Sequence, residues 1–381
     1  MLLHPARPWL LRPIDDQPPG PGPADGHWPS VGVVIPARNE AESIAGTLAA
    51  LHDQDYPGHM RIVVVDERSS DGTADAARRA AADPGARHLT VGARHLTVVV
   101  PGAALPEEWV GKVWGMEQGL RVLEDGGDPP EWVLFTDADI HHAPDSLRAL
   151  MASAMDGCVG LESRMARLRC SSRAEKLLIP PFVLFFFLLY PPLWANRPGS
   201  RIASAAGGCN LVRRDALRAA GGLRAIRGAL IDDLAMARLI KFRARMPTRL
   251  ALAAGRVAST RPYDDLASIW TMVRRSAFTQ LRRSWPLLAG VLLVLLLMFA
   301  GPLVAVVAGA VGLAAGAGTG AAWTLGVGLA AWLAMAVASG PASRQFGLGW
   351  PWRFALPLSG LLYGAMTLDS ALRGPRGGGW R

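Results

Sequence analysis

The sequence has few cysteines and lacks a stretch typical of a secretion signal. Only three of its 381 residues are cysteine. Cys158, Cys170 and Cys209 lie far apart without Cys-x-x-Cys spacing, which argues against a disulfide scaffold or a zinc site and favours a reducing compartment. Residues 1–30 lack the uninterrupted apolar core of a signal peptide, and their proline and glycine content predicts an irregular arm.

The sequence also lacks a basic stripe that alternates with aromatic residues, although its net charge is +9. This argues against nucleic-acid binding. The arginine pairs Arg274/Arg275 and Arg282/Arg283 precede the longest apolar run, and we interpret them as a cytoplasmic flank that contacts anionic lipid. Half of the residues are hydrophobic, which indicates one full domain plus a lipid-facing region.

Short apolar strands alternate with helical patterns from Val31 onward. The strands "VGVVI", "RIVVV", "LTVVV" and "WVLF" are apolar throughout, and helical spacing follows the first two. This alternation predicts an α/β fold with a mostly parallel sheet that is covered on both faces. Such sheets bind ligands at the carboxyl ends of their strands.

The heptapeptide "GARHLTV" occurs twice in succession, at Gly85–Val91 and Gly92–Val98. A unit of this length is too short for a solenoid repeat, so we interpret it as a tandem duplication in an exposed loop. Either copy can supply the third strand. His88 and His95 come with the duplication, and we expect no metal role for them.

The C-terminal part, residues 286–372, predicts about three transmembrane helices. A run without charges starts at Trp285 and is longer than the roughly 20 residues that span a bilayer. Further spans are predicted at Ala321–Ser339 and Phe354–Leu368. Three spans would place the basic tail at 373–381 outside, against the positive-inside tendency, so two or four spans stay open. The apolar segment at 177–195 is short and has proline pairs near both ends, which favours an interfacial segment.

Two carboxylates, Asp137 and Asp139, follow the strand "WVLF" directly. In an extended chain, residues two apart point to the same face, so we expect both to bind one Mg²⁺ or Mn²⁺ ion together with substrate phosphates. The alternative is that one of them caps the next helix, but Asp145 is better placed for that.

Other charged residues follow neighbouring predicted strands. Arg38 and Glu40 come after the first strand and Asp66 ends the second, so we expect them at the same edge of the sheet. Lys112 can pair with a diphosphate, or be an ordinary solvated lysine. Asp232 and Asp233 open a predicted helix; capping explains one of them, and the second can be a general base.

Together, these motifs resemble a known enzyme family. "VVIPARNEAESI", "VVVDERSSDGT", "LFTDADI", "GGCNLVRRDAL" and "IDDLAMARLIK" look like the inverting glycosyltransferases of family 2, which have the Rossmann-like GT-A fold and use nucleotide-diphosphate sugars. The resemblance covers residues 31–285. The segments around residues 177–217 and 261–281 look like the hopanoid-biosynthesis-associated membrane glycosyltransferases.

The resemblance implies roles for matching positions. Asp233 would be the catalytic base, Asp66 would contact the nucleotide base, and Asp137 and Asp139 would hold the metal. The resemblance also places Pro36, Arg38, Glu40, Asp137, Gln280 and Arg283 along the nucleotide sugar, where the residues themselves already suggest Lys112. The "QLRRSW" element has one more residue than the family's QxxRW pattern, and Arg68 stands where the family has glycine.

We therefore expect a multi-pass enzyme of the cell membrane, with its catalytic domain in the cytoplasm. It would transfer a sugar from a nucleotide-diphosphate sugar to a lipid acceptor, with a hopanoid as the expected lipid. A processive polysaccharide synthase would share these motifs but should need more spans and a regular QxxRW element. A non-catalytic nucleotide-binding membrane protein is the other alternative, and the presence of Asp137, Asp139 and Asp233 argues against it.

Overall fold

The computed structural model describes residues 22–23, 26–82 and 96–373, and they form two compact units. We call the first the sheet unit; it comprises the described residues up to Leu168 and the segment Pro192–Arg261. The second, the helical unit, comprises Arg169–Pro191 and residues 262–373. Most of the predicted arm at 1–30, most of the "GARHLTV" repeat with His88 and His95, and the tail beyond Arg373 lie outside the described residues.

The sheet unit is built on a seven-stranded sheet with the order β3-β2-β1-β4-β7-β6-β8. Strands β5 and β9 form a separate antiparallel pair. The strands are β1 Val31–Ala37, β2 Met60–Asp66, β3 Leu96–Pro101, β4 Trp132–Thr136, β5 Ile140–His142, β6 Leu161–Met165, β7 Cys209–Arg213, β8 Thr248–Leu252 and β9 Val257–Ser259. Only β7 among the seven runs antiparallel to its neighbours, which confirms the predicted mostly parallel α/β sheet.

Helices cover both faces of this sheet. The helices of the sheet unit are α1 Ile44–His52, α2 Thr73–Ala82, α3 Gly111–Glu124, α4 Ser146–Asp156, α6 Pro192–Ala195, α7 Arg214–Ala219 and α8 Asp232–Arg238. On β1, Val33 packs in the hydrophobic cluster that includes α1, whereas its neighbour Val34 packs in the cluster that includes α3. Alternate residues of a strand point to opposite faces, so a strand covered on both sides has to be apolar throughout.

The parallel register places successive strand ends side by side. Ala37 at the end of β1 pairs with Asp66 at the end of β2, and β4 lies on the other side of β1. Asn39 and Arg68, in the loops that follow β1 and β2, have left-handed backbones with φ of 55° and 58°. The Asn39 side chain accepts a hydrogen bond from the Ser70 N–H at 2.9 Å, which ties the two loops together. Arg68 therefore adopts the left-handed conformation that glycine would adopt more readily.

His141 and His142 lie in β5, which pairs with β9. His142 is buried and lies 2.9 Å from the Thr136 hydroxyl. Burial, with a smaller effect of His141, lowers the pKa of His142 to about 4. His142 is therefore a neutral core residue that supports the end of β4.

The helical unit contains the long apolar helices. These are α5 Arg173–Leu189, α9 Leu266–Gln280, α10 Trp285–Leu295, α11 Gly301–Ala314, α12 Gly318–Gln345 and α13 Leu356–Arg373. A π turn at Leu296–Ala300 separates α10 from α11, which has Pro302 in its first turn. The core of the unit includes Leu178, Ile269 and Met366.

Helix α5 contains two prolines, Pro180 and Pro181. Because proline has no backbone N–H, Pro181 leaves the carbonyl of Leu177 without its usual partner within the helix. The hydroxyl of Ser359 on α13 donates to this carbonyl at 2.8 Å, and the hydroxyl of Tyr363 donates to the Leu178 carbonyl at 2.8 Å. Helix α13 thus supplies a hydrogen-bond donor to the carbonyl that Pro181 leaves free and a second donor to the carbonyl of the next residue.

Three stretches of the described residues are long and apolar enough to cross a membrane: Arg173–Ala195, Trp285–Ala314 and Gly318–Gln345. The Trp285–Ala314 stretch has a mean hydropathy of 2.9 and only 6% of its most apolar window is buried. This set differs from the predicted spans. It includes the segment at 177–195, which we assigned to the membrane interface. It omits α13, which overlaps the third predicted span but also contains Asp369 in an ion pair with Arg373.

The division into units also differs from the predicted domains. Residues Arg169–Pro191 and 262–285 group with the helical unit, although we assigned both to a catalytic domain ending at residue 285. Their apolar side chains explain the difference: Leu178 of α5 and Ile269 of α9 pack in one cluster with Tyr363 of α13.

Two glycine substitutions test the packing of the sheet unit. Gly119 of α3 is buried, and an added Cβ would collide with Val34 and lie 3.3 Å from Val65 Cγ2. We expect Gly119→Ala to lower the free energy of unfolding by about 1–3 kcal/mol because the core is overpacked. Gly46, exposed in the first turn of α1, has no atom within 4 Å of an added Cβ, so Gly46→Ala should raise stability by up to about 1 kcal/mol. Thermal unfolding of both variants measures this; equal shifts would contradict the packing described.

Candidate active site

A lysine bridges two carboxylates at the carboxyl edge of the sheet. The ammonium nitrogen of Lys112 lies 2.8 Å from Asp137 Oδ1 and 3.2 Å from Asp232 Oδ2. The three side chains are 21%, 35% and 16% exposed. They come from the first turn of α3, the loop after β4 and the first residue of α8, so three distant segments meet at this ion pair.

The electrostatics of the cluster favour a charged lysine. Burial by itself would lower the pKa of Lys112, but Asp137 and Asp232 raise it well above its usual range. Lys112 is therefore a permanent cation at the edge where parallel sheets bind ligands. A small cleft beside it is lined by Pro36, Asp137 and Asp232, whereas a larger cavity of about 370 Å³ lies between α3 and α7 and contains none of these residues.

Asp233 adjoins this cluster and differs from its neighbours. The pKa of Asp233 is raised to about 7. Burial is the largest cause and the carboxylate of Asp232 adds to it, whereas Lys112 opposes the shift. Its Oδ1 accepts a hydrogen bond from the Leu234 N–H at 2.7 Å. A Cβ added to Gly207 would lie 3.7 Å from Asp233 Oδ2 and 4.0 Å from Asp137 Oδ2. The glycine therefore leaves room between two carboxylates, one of which changes its charge near neutral pH.

Asp139 faces a different set of partners. Its Oδ2 accepts a hydrogen bond from Arg261 Nε at 2.8 Å and one from the Ser259 hydroxyl at 3.3 Å. Arg261 also pairs with Glu40, and the side chain of Asp139 is only 10% exposed. Burial by itself would lower the pKa of Arg261, but Asp139 and Glu40 raise it. Arg261 thus joins the loop after β1 to the loop after β4.

The expectation that Asp137 and Asp139 lie in an extended chain is wrong. Strand β4 ends at Thr136, and the next three residues form a turn in which the Ile140 N–H donates to the Asp137 carbonyl at 3.3 Å. The turn directs Asp137 to Lys112 and Asp139 to Arg261. The two-residue repeat of a strand therefore does not describe how these carboxylates are oriented.

The loop after β1 is held by the start of α2. The Glu40 N–H donates to the Thr73 hydroxyl at 2.8 Å, and the Ala41 N–H donates to Asp71 Oδ2 at 3.0 Å. Asp71 also accepts from the Thr73 N–H at 3.0 Å. Asp71 is therefore a turn former, and Glu40 is fixed at the edge of the site.

The end of β2 presents a buried polar atom. Within the described residues, Asp66 Oδ1 has no hydrogen-bond partner although the residue is only 9% exposed. Next to it, burial raises the pKa of Glu67 to about 7; Arg38 opposes the shift and Asp66 adds to it. An unpaired buried oxygen is costly, and a ligand with an N–H group would satisfy it.

The predicted site residues therefore separate into two groups. The structure brings Pro36, Lys112 and Asp137 to one cleft, and Glu40 to the neighbouring loop. Gln280 is the last residue of α9 and Arg283 follows it with a φ of 54°, both in the helical unit. The roles predicted for these two residues in nucleotide-sugar binding stay predictions.

Some residues of the site offer the oxygen ligands that a hard metal ion prefers. Among the described residues, no three His, Cys, Asp or Glu side chains are grouped so that they could hold a metal by themselves. Asp137 is 35% exposed and presents a carboxylate to the cleft, which suits Mg²⁺ or Mn²⁺ when a ligand supplies other oxygens. Asp139 would also fit, once its Oδ2 is released by Arg261.

Two important residues were missed by the sequence reasoning. Arg261 comes two residues after β9, but β9 has only three residues, too few for a clear hydrophobic pattern. Glu67 directly follows Asp66, and the strand pattern indicated only Asp66. A search for charged residues after every short strand, including β9, would have found both.

The pKa of Asp233 predicts how stability depends on pH. Its ordinary value is 3.8 and its value in the folded protein is about 7, so the folded state binds this proton more tightly than the unfolded chain. The free energy of unfolding should therefore fall as pH rises from about 4 through about 7. We expect the unfolding midpoint of Asp233→Asn to exceed that of the wild type by more at about pH 8 than at about pH 5.

Asp125→Asn is the matched control, because Asp125 is exposed at the end of α3. Its difference from the wild type should be the same at both pH values. A difference for Asp233→Asn that does not grow with pH would contradict the burial described for this carboxyl group.

Similar proteins include enzymes that transfer sugars. An N-acetylglucosaminyltransferase of Mesorhizobium japonicum is 30% identical over 202 residues, which cover 52% of this chain and 42% of that protein. An undecaprenyl-phosphate mannosyltransferase of Micrococcus luteus is 34% identical over 134 residues, 34% of this chain and 46% of that protein. The chain thus spans less than half the length of the curated relatives it matches.

A solved structure shows the same fold. A mannosyltransferase of Pyrobaculum calidifontis, solved in complex with GDP-mannose and Mn²⁺, matches with a TM-score of 0.50 and 20% identity. The match covers 97% of this chain and 93% of that one. This likeness confirms the GT-A-like architecture of the predicted fold.

Two family models match the chain. The model described as glycosyl transferase family 2 matches residues 32–221, which confirms the resemblance to that family. The model described as glycosyl transferase family 21 matches residues 130–374. This match begins just before β4 and continues through α13. The chain therefore belongs to glycosyl transferase family 21, and its N-terminal half matches family 2.

Proposed function

We propose that this protein is a membrane-bound, metal-dependent inverting glycosyltransferase that moves a sugar from a nucleotide-diphosphate sugar to a lipid hydroxyl. The observation that carries the proposal is the arrangement around Gly207. A carboxyl group with a pKa of about 7, Asp233, faces Asp137 across a gap left by a glycine, beside the cation Lys112. The gap lies at the edge of the sheet where such folds bind nucleotides.

The donor would lie along the carboxyl ends of β2, β1 and β4. The unpaired oxygen of Asp66 would accept a hydrogen bond from the nucleotide base. Lys112 would contact the diphosphate as a point charge, at the positive N-terminal end of α3. Donor binding would then replace the contacts of Lys112 with Asp137 and Asp232 by contacts with phosphate oxygens.

A divalent cation would be held by Asp137 and Asp139 together with the diphosphate. Its chemistry is to neutralise the negative charge of the departing nucleoside diphosphate. Support comes from the Asp137 carboxylate, which is partly exposed in the cleft. Further support comes from the Pyrobaculum calidifontis mannosyltransferase, whose structure contains GDP-mannose and Mn²⁺. Mg²⁺ and Mn²⁺ both suit such oxygen ligands.

Asp233 would be the general base. As the acceptor oxygen attacks the anomeric carbon, the Asp233 carboxylate takes the proton of the hydroxyl, and the bond to the diphosphate oxygen breaks. Attack from the side opposite the leaving group inverts the configuration. A base with a pKa of about 7 is matched to a reaction near neutral pH.

The charges of the site support a hydroxyl acceptor. Three carboxylates, from Asp137, Asp232 and Asp233, surround one lysine, and a phosphate nucleophile would meet this negative surface while needing no base. The undecaprenyl-phosphate mannosyltransferase relative supports a lipid-linked acceptor, and the hopanoid-associated motifs support a polycyclic lipid alcohol. The apolar helices at 285–314 and 318–345 would keep the enzyme at the membrane with such a lipid.

The proposed location is the cell membrane, with the sheet unit in the cytoplasm where nucleotide sugars are found. The four arginines at 274, 275, 282 and 283 precede the Trp285–Ala314 stretch, and this bias supports a cytoplasmic flank. The catalytic domain would be the sheet unit, within the predicted boundaries 31–285, and the multi-pass anchor would be formed by helices of the helical unit.

Membranes that contain the protein provide the direct test. They are incubated with UDP-N-acetylglucosamine, UDP-glucose or GDP-mannose and with Mg²⁺ or Mn²⁺, in the presence of a hopanoid alcohol or a polyprenyl phosphate. Extracted lipids are then analysed by mass spectrometry. We expect one donor to give a glycosylated lipid alcohol, and Asp233→Asn to reduce its formation by a factor of about 10²–10⁴. Calorimetry should show that this variant still binds the donor; full transfer by Asp233→Asn would contradict the proposal.

The positive charge of Lys112 should influence how the reaction rate depends on pH. The rate should rise as pH increases through about 7, because Asp233 must lose its proton to act as a base. Lys112 opposes the upward shift of this pKa, so Lys112→Met should move the rise to higher pH by about one unit. Lys112→Arg retains the charge and is the control, with a profile close to that of the wild type. The pH profile of kcat/KM, which reports the free enzyme, measures both, and an unshifted profile in Lys112→Met would contradict the assigned interaction.

A further inference from the structure

Arg261 occupies the carboxylate that a bound metal would need. Its Nε donates to Asp139 Oδ2 at 2.8 Å, and its Nη2 pairs with Glu40 Oε1. These carboxylates follow β1 and β4, neighbouring strands of the sheet. One guanidinium group therefore pairs with two acidic groups at the edge of the candidate site and offsets one of their two negative charges.

The local structure holds Arg261 in this position. Its backbone N–H donates to the Ser259 hydroxyl at 3.3 Å, and the same hydroxyl lies 3.3 Å from Asp139 Oδ2. The adjacent Thr260 donates from its N–H to the Asp139 carbonyl at 2.8 Å. The side chain of Arg261 is nevertheless 41% exposed, so the guanidinium group has a path into solvent.

A positive guanidinium and a divalent cation cannot share Asp139 without a cost. Like charges a few ångströms apart repel each other strongly where the surroundings are partly dry. The planar group of arginine also uses the lone pairs of the carboxylate oxygens that a metal would bind. Either the guanidinium group leaves Asp139 when the metal binds, or the metal binds with lower affinity.

We propose that Arg261 is a built-in counter-ion that competes with the divalent cation for Asp139, so that metal binding requires its guanidinium group to leave this carboxylate. The inference rests on the proposed metal-dependent function and adds a residue that sets metal affinity. In the absence of metal, Arg261 pairs with both Asp139 and Glu40 and offsets part of their negative charge. Its departure frees both carboxylates at the moment when the metal supplies their positive charge.

The test is a titration of the purified full chain with Mn²⁺ in detergent, without donor or acceptor, followed by electron paramagnetic resonance of the free ion. Arg261→Gln removes the competing charge, and we expect its Mn²⁺ affinity to be about tenfold higher than that of the wild type. Arg261→Lys keeps a positive charge but cannot form the two-pronged bridge, so its affinity should lie between the two. The gain should disappear when Asp139→Asn is combined with Arg261→Gln.

Arg256→Gln is the matched control. Arg256 lies at the other end of β9, is partly buried like Arg261 and forms an ion pair of 2.9 Å, but with Asp145. Its Mn²⁺ affinity should equal that of the wild type. Circular dichroism checks that each variant is folded, and Arg261→Lys provides the comparison if Arg261→Gln does not fold.

The inference is overturned if Arg261→Gln binds Mn²⁺ no more tightly than the wild type, or if neither protein binds it. The experiment separates this inference from the proposed function because it involves no sugar transfer. A protein that transfers no sugar but shows the gain in Mn²⁺ affinity would contradict the proposed function alone. A protein that transfers sugar without the gain would contradict this inference alone.

Discussion

The ion pairs of Lys112 are the interaction on which the candidate site depends. Asp137, Asp232 and Asp233 come from two distant parts of the chain, and three carboxylates in a half-buried space would repel one another. Lys112 contacts two of them directly and offsets part of this repulsion, which allows α8 to begin beside the end of β4. The buried sheet fixes where α3 begins, and α3 in turn fixes the lysine. The packing of the sheet unit and the charge of the site are thus parts of one arrangement.

A sequence reveals best the features that depend on neighbours along the chain. Strands β1, β2 and β4 were predictable because both of their faces are buried, which requires an uninterrupted apolar run. The charged residues at their ends followed from the same observation, since parallel strands end at one edge. Glu40, Asp66 and Asp137 could therefore be selected before their positions in space were known.

The features that the sequence did not reveal depend on contacts between distant segments. The pairing of β5 with β9 joins residues more than a hundred positions apart, and three-residue strands carry no clear period. Arg261 comes shortly after β9 of this pair, so its contact with Asp139 could not be anticipated. The orientation of Asp137 and Asp139 depended on a turn rather than on a strand. The grouping of α5 with α13 depended on packing that hydropathy does not encode, which is why the apolar segment at 177–195 was assigned to the interface.

The hydrogen bonds from α13 to α5 bear on the order in which the helices can assemble. Helix α5 is synthesised long before α13, and the Leu177 carbonyl that Pro181 leaves free receives its partner, Ser359, from near the end of the chain. In a lipid environment a carbonyl without a partner is costly, so α5 would reach its final state only after the last helix has been made. Until then a ribosome-bound chain would carry an incomplete helix that needs water, lipid head groups or a chaperone at this position. Pro181 therefore leaves this position of α5 without its hydrogen bond until α13 has been made.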